Sequence, residues 1–344
     1  MNLDLPSVSL ESDRLVESPV VLIMFNRPNL TRKVFDAIAA ARPRMLFVVS
    51  DGPRSHAKGD VQLVNQCREI IKSVNWDCEV FTKYSEENLG CRDSVASGLS
   101  WVFSKVERAI ILEDDCLPSK GFFQFCDELL ELYKSDESIG SICGTNLDPA
   151  ETLDITASYY ASRYPAVWGW ATWRRVWSQY SSEMKEPEIL GSREAILKQG
   201  LAPQSKRFWI SRLKLIAQMK LDTWDYQLVF LHWRTGMNSL VSKLNLVSNL
   251  GFGEGATHTI NANSEFANKE KLEPVFPLLH PSSDEFSKAL RLSFGQNRFR
   301  YSWLKLQTEN FYFTLPKGLQ ELIRRLFTAK PFSGRGIGPE GVPD

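Results

Sequence analysis

No segment of this sequence approaches the ~20 apolar residues that a membrane-spanning helix needs. The leading apolar run, Val20 to Phe25, suits a buried strand instead. A leader is not expected either. The first residues carry Asp4, Glu11 and Asp13 in place of a basic start and an apolar core, so they do not read as a signal peptide. Cysteine is scarce and unpatterned. Cys67, Cys78, Cys91, Cys116, Cys126 and Cys143 include no CxxC pair, which argues against a zinc knuckle or a thioredoxin-like motif. Scattered through expected strands and helices, they predict buried free thiols in a reducing compartment. Excess charge is missing too. The 41 basic and 41 acidic residues cancel, which leaves no global field to attract nucleic acid. No nucleic-acid partner is expected, and any bound anion must meet a local site. The sequence also lacks internal repeats and low-complexity tracts. A cytoplasmic protein is expected.

The 344 residues, 43% of them hydrophobic, suffice for one large domain or two closely packed ones. Residues 1–18 are polar and aperiodic and read as a flexible arm. Regular alternation follows. Val20 to Phe25 has the unbroken apolar character of a central parallel strand. Leu30, Val34, Ala37, Ile38 and Ala41 recur at helical spacing. Met45 to Val49 reads as a second strand, a helix follows near Val61 to Val74, and Glu79 to Thr82 reads as a third strand. A helix over Ser94 to Val106 leads to a fourth strand, Arg108 to Leu112. Phe122, Phe123, Cys126, Leu129, Leu130 and Tyr133 form a helical stripe before a fifth strand, Ile139 to Cys143. Such alternation predicts an α/β, Rossmann-like fold with a mostly parallel central sheet flanked by helices.

Beyond about residue 150 the alternation fades. Tyr159 to Tyr180 is rich in aromatics, residues 183–220 look helical, and Asn245 to Gly251 reads as a strand. The divisions are 19–150 and 151–262, sharing one sheet, then a polar connector over 263–282 and a helical, basic extension over 283–330. Residues 331–344 read as a disordered tail. In the extension, seven cations between Arg298 and Lys330 accompany an apolar face of Leu319, Leu322, Ile323, Leu326 and Phe327. Such a segment fits a helix packed on the domain. It also fits peripheral contact with an anionic inner membrane face through residues 298–330.

In a doubly wound sheet, ligands bind at the carboxyl ends of the strands. Four polar clusters fall there: Asn26-Arg27, Asp51-Gly52, Asn88-Leu89-Gly90 and Glu113-Asp114-Asp115. Three acids at a strand end repel one another and are costly to bury without a counter-charge. A divalent cation, Mn²⁺ or Mg²⁺, answers that cost, and few protein ligands leave room for phosphate oxygens. The bland alternative is an acidic turn. Asp51 offers an acceptor for a base N–H, although Asp-Gly-Pro is turn chemistry by itself. Arg27 and Arg92 are candidates for gripping a phosphate, or simply surface charges, and Asn88 lies in a turn-like stretch. Trp168-Gly169-Trp170 offers aromatic faces for a sugar, or core packing. Asp225, after Trp224, is a candidate general base or a helix-start acid, with Asp222 competing for either role. His258, in the Gly-rich run Gly253 to Thr259, is a candidate metal ligand or phosphate donor.

Taken together, these parts resemble the GT-A-fold glycosyltransferases. The likeness is to the inverting N-acetylglucosaminyltransferase I type and its bacterial relatives. It runs from about Val20 to His258 and rests on Phe25-Asn26-Arg27, Ser50-Asp51, Leu112 to Asp115 with Pro118 and Phe122-Phe123, Trp168-Gly169-Trp170 with Trp177, and Trp224-Asp225. Carried over, it makes 19–150 the nucleotide-sugar half and 151–262 the acceptor half. It implies that Arg27 contacts a diphosphate and Asp51 a base, while Glu113 and Asp114 meet sugar and ribose. Asp115 would bind the metal and Asp225 would deprotonate a hydroxyl of a glycan or lipid-linked acceptor. One departure stands out: the family type has two adjacent acids after its Trp, whereas Tyr226 follows Asp225 here. The alternatives are a sugar nucleotidyltransferase and a non-catalytic nucleotide-sugar-binding relative. The first would need a Gly-rich loop after the first strand, where Asn26-Arg27-Pro28 stands.

Overall fold

Unbroken apolar runs can be buried on both faces only in the middle of a covered sheet. The computed structural model, which describes residues 16–147, 154–252 and 267–292 and isolated positions between 308 and 319, places them there. Strand β1 (Val20–Met24) is buried throughout. It pairs in parallel with β2 (Met45–Ser50), Val20 opposite Leu46. On its other side it pairs in parallel with β4 (Arg108–Glu113), which puts Ile23 opposite Glu113. Beyond β2 lies β3 (Glu79–Tyr84), largely exposed as befits an edge. These four strands alternate with α1 (Pro28–Ala41), α2 (Asp60–Ile71) and α3 (Cys91–Phe103). Pro28 opens α1, where its missing N–H is no loss, and Thr31, Val34, Phe35 and Ile38 face inward.

After β4 come β5 (Cys116–Pro118), α4 (Gly121–Leu132) and β6 (Ile139–Cys143). The aromatic stretch then supplies β7 (Tyr159–Ser162), β8 (Trp170–Trp173) and α5 (Arg174–Trp177). Three helices follow: α6 (Glu186–Lys198), α7 (Pro203–Ala217) and α8 (Asp225–Thr235). The remaining elements are β9 (Asn238–Ser242), β10 (Val247–Asn249) and α9 (Ser283–Leu292). One eight-stranded sheet has the order β3-β2-β1-β4-β8-β6-β9-β7. Only β7 and β8 run against the others. The fold is therefore mixed α/β with a mostly parallel central sheet flanked by helices. β8 wedges between β4 and β6, so the two halves of the sequence share this sheet.

A separate two-stranded ribbon pairs β10 with β5, Asn249 opposite Cys116. Its effect is local. It brings the chain after β10 against the end of β4, where the N–H of Leu250 donates to the carbonyl of Asp115 at 2.8 Å. The connector also ties into the body. Glu273 accepts from the N–H groups of Lys120 (3.1 Å) and Gly121 (2.8 Å), capping α4 from 152 residues away. One apolar cluster lies around the sheet and a second around α6 to α8, the latter joined by Tyr312 and Phe313. Cys67, Cys116, Cys126 and Cys143 are buried free thiols, and Cys78 and Cys91 are half-buried. Among the described residues no helix is long and apolar enough to cross a membrane. Most of the basic extension, and all of Leu322 to Lys330, lies outside the described residues.

Candidate functional site

At the carboxyl end of β4 the strand delivers three acids in succession. Asp114 is nearly fully buried and Asp115 is 8% exposed. Arg27, placed by the turn between β1 and α1, forks onto both. Its Nη2 pairs with Asp114 Oδ1, and its Nη1 lies 2.8 Å from Asp115 Oδ2. Asp114 also accepts from the N–H of Phe25 at 3.1 Å. Burial by itself would lower the pKa of Arg27, but the charges of Asp114 and Asp115 outweigh it and hold the guanidinium charged. Glu113 gains less. Burial, and then the charges of Asp115 and Asp114, push its carboxyl up to about 8. Glu113 is thus held protonated at neutral pH, and Asp114 and Asp115 together outnumber the single guanidinium of Arg27.

Close approach seals one side of this cluster. A Cβ at Gly251 would lie 2.0 Å from Asp115 Oδ2 and 3.0 Å from Arg27 Nη1, so only glycine fits there. Among the described residues no group of three His, Cys, Asp or Glu side chains converges as a ready-made metal cage. The donor set is hard carboxylate oxygen in negative surplus. That fits an ion held by one carboxylate together with the oxygens of a phosphate ligand. His258 lies outside the described residues.

Asp51 ends up at the same sheet edge with its oxygens engaged. Oδ1 accepts from the N–H groups of Gly52 (2.8 Å) and Leu89 (2.9 Å). Oδ2 accepts from Asn88 Nδ2 (2.8 Å) and the N–H of Gly90 (3.2 Å). Asp51 and Asn88 therefore fix the loop before α3. The guanidinium of Arg92 forks onto Asp93, at 2.8 and 2.9 Å. Arg54 and Asn26 both meet Asp60.

Asp225 opens α8 and is 5% exposed. Its Oδ1 accepts from Thr223 Oγ1 and from the N–H of Tyr226 at 2.9 Å. The charge of Asp225 acts on Glu113. Burial, then the charges of Glu113, Asp222, Asp225 and Asp51, raise the Cys91 thiol well above its usual range. The structure thus gathers Arg27, the three acids, Asp51 and Asp225 at one end of the sheet. Asp222, undecided in the sequence, accepts the N–H groups of Cys91 (3.2 Å) and Arg92 (2.9 Å) at the start of α3.

The tryptophans divide. Trp170 is fully buried and stacks on Trp224 at 5.7 Å. Trp168 is half-buried and meets Phe252 edge-on at 5.6 Å. Gly169, at φ +70°, packs on Val247. Of the three, Trp168 keeps an accessible face, while Trp170 belongs to the core.

No protein-family description matches the sequence, and no curated protein matches it. Among solved structures, the chain is similar to UDP-glucose pyrophosphorylase complexed with UDP-glucose. That likeness has 8% identity and a TM-score of 0.33, and covers 66% of this chain and 90% of the other. So distant a likeness leaves the function to be argued from the site.

Proposed function

We propose that this protein is a glycosyltransferase. It moves a sugar from a nucleoside-diphosphate donor, a UDP-sugar, to a hydroxyl of a glycan or lipid-linked acceptor, with inversion. One observation carries the reading: a charged arginine and a surplus of acids at the sheet's carboxyl edge, with a further buried carboxylate, Asp225, whose charge reaches Glu113. Anion recognition and proton removal then share one end of the sheet, as a displacement between a diphosphate ester and a hydroxyl requires. Arg27 binds the diphosphate and gives up part of its pairing with Asp115 to do so. Glu113 and Asp114 meet the sugar and ribose. Asp51 and Asn88 shape the loop that receives the base, and Arg92 stands at its far end. Trp168, with Gly169 and the start of β8 behind it, walls the sugar. Asp225 takes the acceptor's proton as its oxygen attacks the anomeric carbon and the bond to the diphosphate breaks. Asp115, with His258 as a second candidate, would hold Mn²⁺ or Mg²⁺. When bound, that ion would offset the charge on the departing diphosphate.

Thermal-shift measurement against a panel of nucleoside diphosphates and nucleotide sugars, with and without Mn²⁺, tests the donor class. A cation-dependent rise for one uridine nucleotide is expected, since a ligand of the native state stabilises it by mass action. Asp115→Ala should abolish that rise. A panel with no response would refute the reading.

A further inference from the structure

Asp225 begins α8 directly after a short turn, so its direction depends on what holds that turn. Gln227 Nε2 donates to the carbonyl of Thr223 at 2.8 Å, and Tyr180 donates to the carbonyl of Trp224 at 2.9 Å. The first brace is local and the second comes from 44 residues earlier. A further tie spans a longer stretch of sequence. Asp222 reaches across 130 residues to accept from the N–H groups of Cys91 and Arg92. A helix start presents such donors unsatisfied. Gly90, the residue before α3, has φ +82° and offers no side-chain cap. Asp222 supplies the missing cap. The fit is tight: a Cβ at Gly90 would lie 2.8 Å from Asp222 Oδ2. Gly90 thus permits both the left-handed backbone and the approach of the carboxylate.

The same short stretch is gripped from its other side. Asp51, at the end of β2, accepts from the N–H groups of Leu89 and Gly90. Residues 88–92 therefore run between two carboxylates, one from the sheet and one from the turn that carries Asp225. Helix α3 is braced by the sheet, and the turn is pinned to α3.

We infer that Asp222 is a positioning residue. It anchors the 222–225 turn to the start of α3 and so sets Asp225 relative to the loop held by Asp51. This rests on the glycosyl-transfer reading for its catalytic consequence, and on the hydrogen bonds for its structural one. Both carboxylate oxygens of Asp222 are engaged by the N–H groups of Cys91 and Arg92, which assigns it a positioning role. Its loss should misdirect the base and loosen the 88–92 stretch, while Arg27 and the acids at the end of β4 stay in place.

The test uses the full-length chain and three variants: Asp222→Ala, Asp222→Asn and, as a control, Asp93→Ala. Asp93 is an acid in the same first turn of α3 that pairs with Arg92 and does not reach the 222–225 turn. Amide hydrogen exchange is followed over residues 88–92 and 222–230, with transfer kinetics alongside. Asp222→Ala should speed exchange about tenfold or more in both segments. It should lower kcat about tenfold to a hundredfold, with a smaller rise in the donor KM through the loosened 88–92 stretch. Asp222→Asn, which keeps an acceptor oxygen, should restore part of both effects. Asp93→Ala should leave kcat and the 222–230 exchange unchanged. Unchanged exchange in Asp222→Ala would overturn the inference, as would an equal fall in kcat in Asp93→Ala. If the wild-type chain transfers no sugar, the glycosyl-transfer reading fails, and the exchange result alone then decides whether Asp222 holds the turn.

Discussion

Replacing Arg27 by Gln removes the cation that, among the described residues, bridges Asp114 and Asp115, while keeping most of the side-chain volume. Asp114 is 2% exposed, so its carboxylate cannot recover the loss from water. It takes a proton instead. Burial already raises the Asp114 carboxyl above its ordinary range with Arg27 in place. Holding a carboxyl of ordinary pKa ~3.9 neutral at pH 7 costs about three pH units at ~1.4 kcal/mol each, so about 4 kcal/mol is the upper bound on the added cost. Breaking buried ion pairs by removing one partner costs a similar ~3–5 kcal/mol. The origin of the cost gives it a signature. At pH 5 it should shrink to at most roughly 1.5 kcal/mol, and near pH 4 it should vanish. Urea denaturation of wild type and Arg27→Gln at pH 7, 6 and 5 reads the difference directly. A destabilisation that stays constant across that range would refute the assignment of the cost to an unpaired Asp114. A destabilisation below ~1 kcal/mol at pH 7 would refute the ion pair itself.

Other consequences follow from the titrating groups. Burial and neighbouring acids hold Glu113 neutral up to about pH 8. A carboxyl whose folded pKa is raised adds stability below its unfolded pKa near 4.5 and loses it as pH climbs through about 8. Glu113→Gln should therefore match wild type at low pH and become the more stable of the two at pH 9. A pH-independent difference would contradict this. His232 is fully buried in α8, with Nδ1 2.9 Å from the carbonyl of Leu228, and burial lowers its pKa to about 4. Its contribution is present above pH 6.5 and lost as pH falls towards 4, a swing of about 3 kcal/mol. Its imidazole NMR signals should stay those of the neutral ring down to about pH 4. Titration near pH 6.5 would show the ring to be accessible.

Much of the fold could be read from the residues because parallel strands buried on both faces leave unbroken apolar runs. β1, β2 and β4 lie where Val20–Phe25, Met45–Val49 and Arg108–Leu112 indicated. Boundaries moved by a few residues. α3 runs from Cys91 instead of Ser94, since the cap that starts it comes from Asp222, far along the chain. β8 was hidden for a different reason. It is short and aromatic, and its identity as a strand depends on slipping between β4 and β6. β5 has three residues, too few for any periodicity, whereas β10 lies inside the strand read over Asn245 to Gly251. At the site, Arg27 and the acid triplet were visible as polar clusters at strand ends. The commitment of Asp51 to the 88–90 loop was not, because its partners lie 37 to 39 residues on. Nor was the burial of Trp170: an aromatic run reads alike whether it faces a sugar or the core, and only its stacking on Trp224 decides.

The central claim is sugar transfer with Asp225 as the base, and mass-spectrometric detection of the transferred sugar tests it most directly. The wild-type chain, a UDP-sugar panel, Mn²⁺ and a set of glycan and lipid-linked acceptors are assayed beside Asp225→Asn. The account predicts a product of inverted anomeric configuration with wild type, and loss of transfer with retained donor binding in Asp225→Asn. Full transfer by Asp225→Asn, or a product of retained configuration, would contradict it.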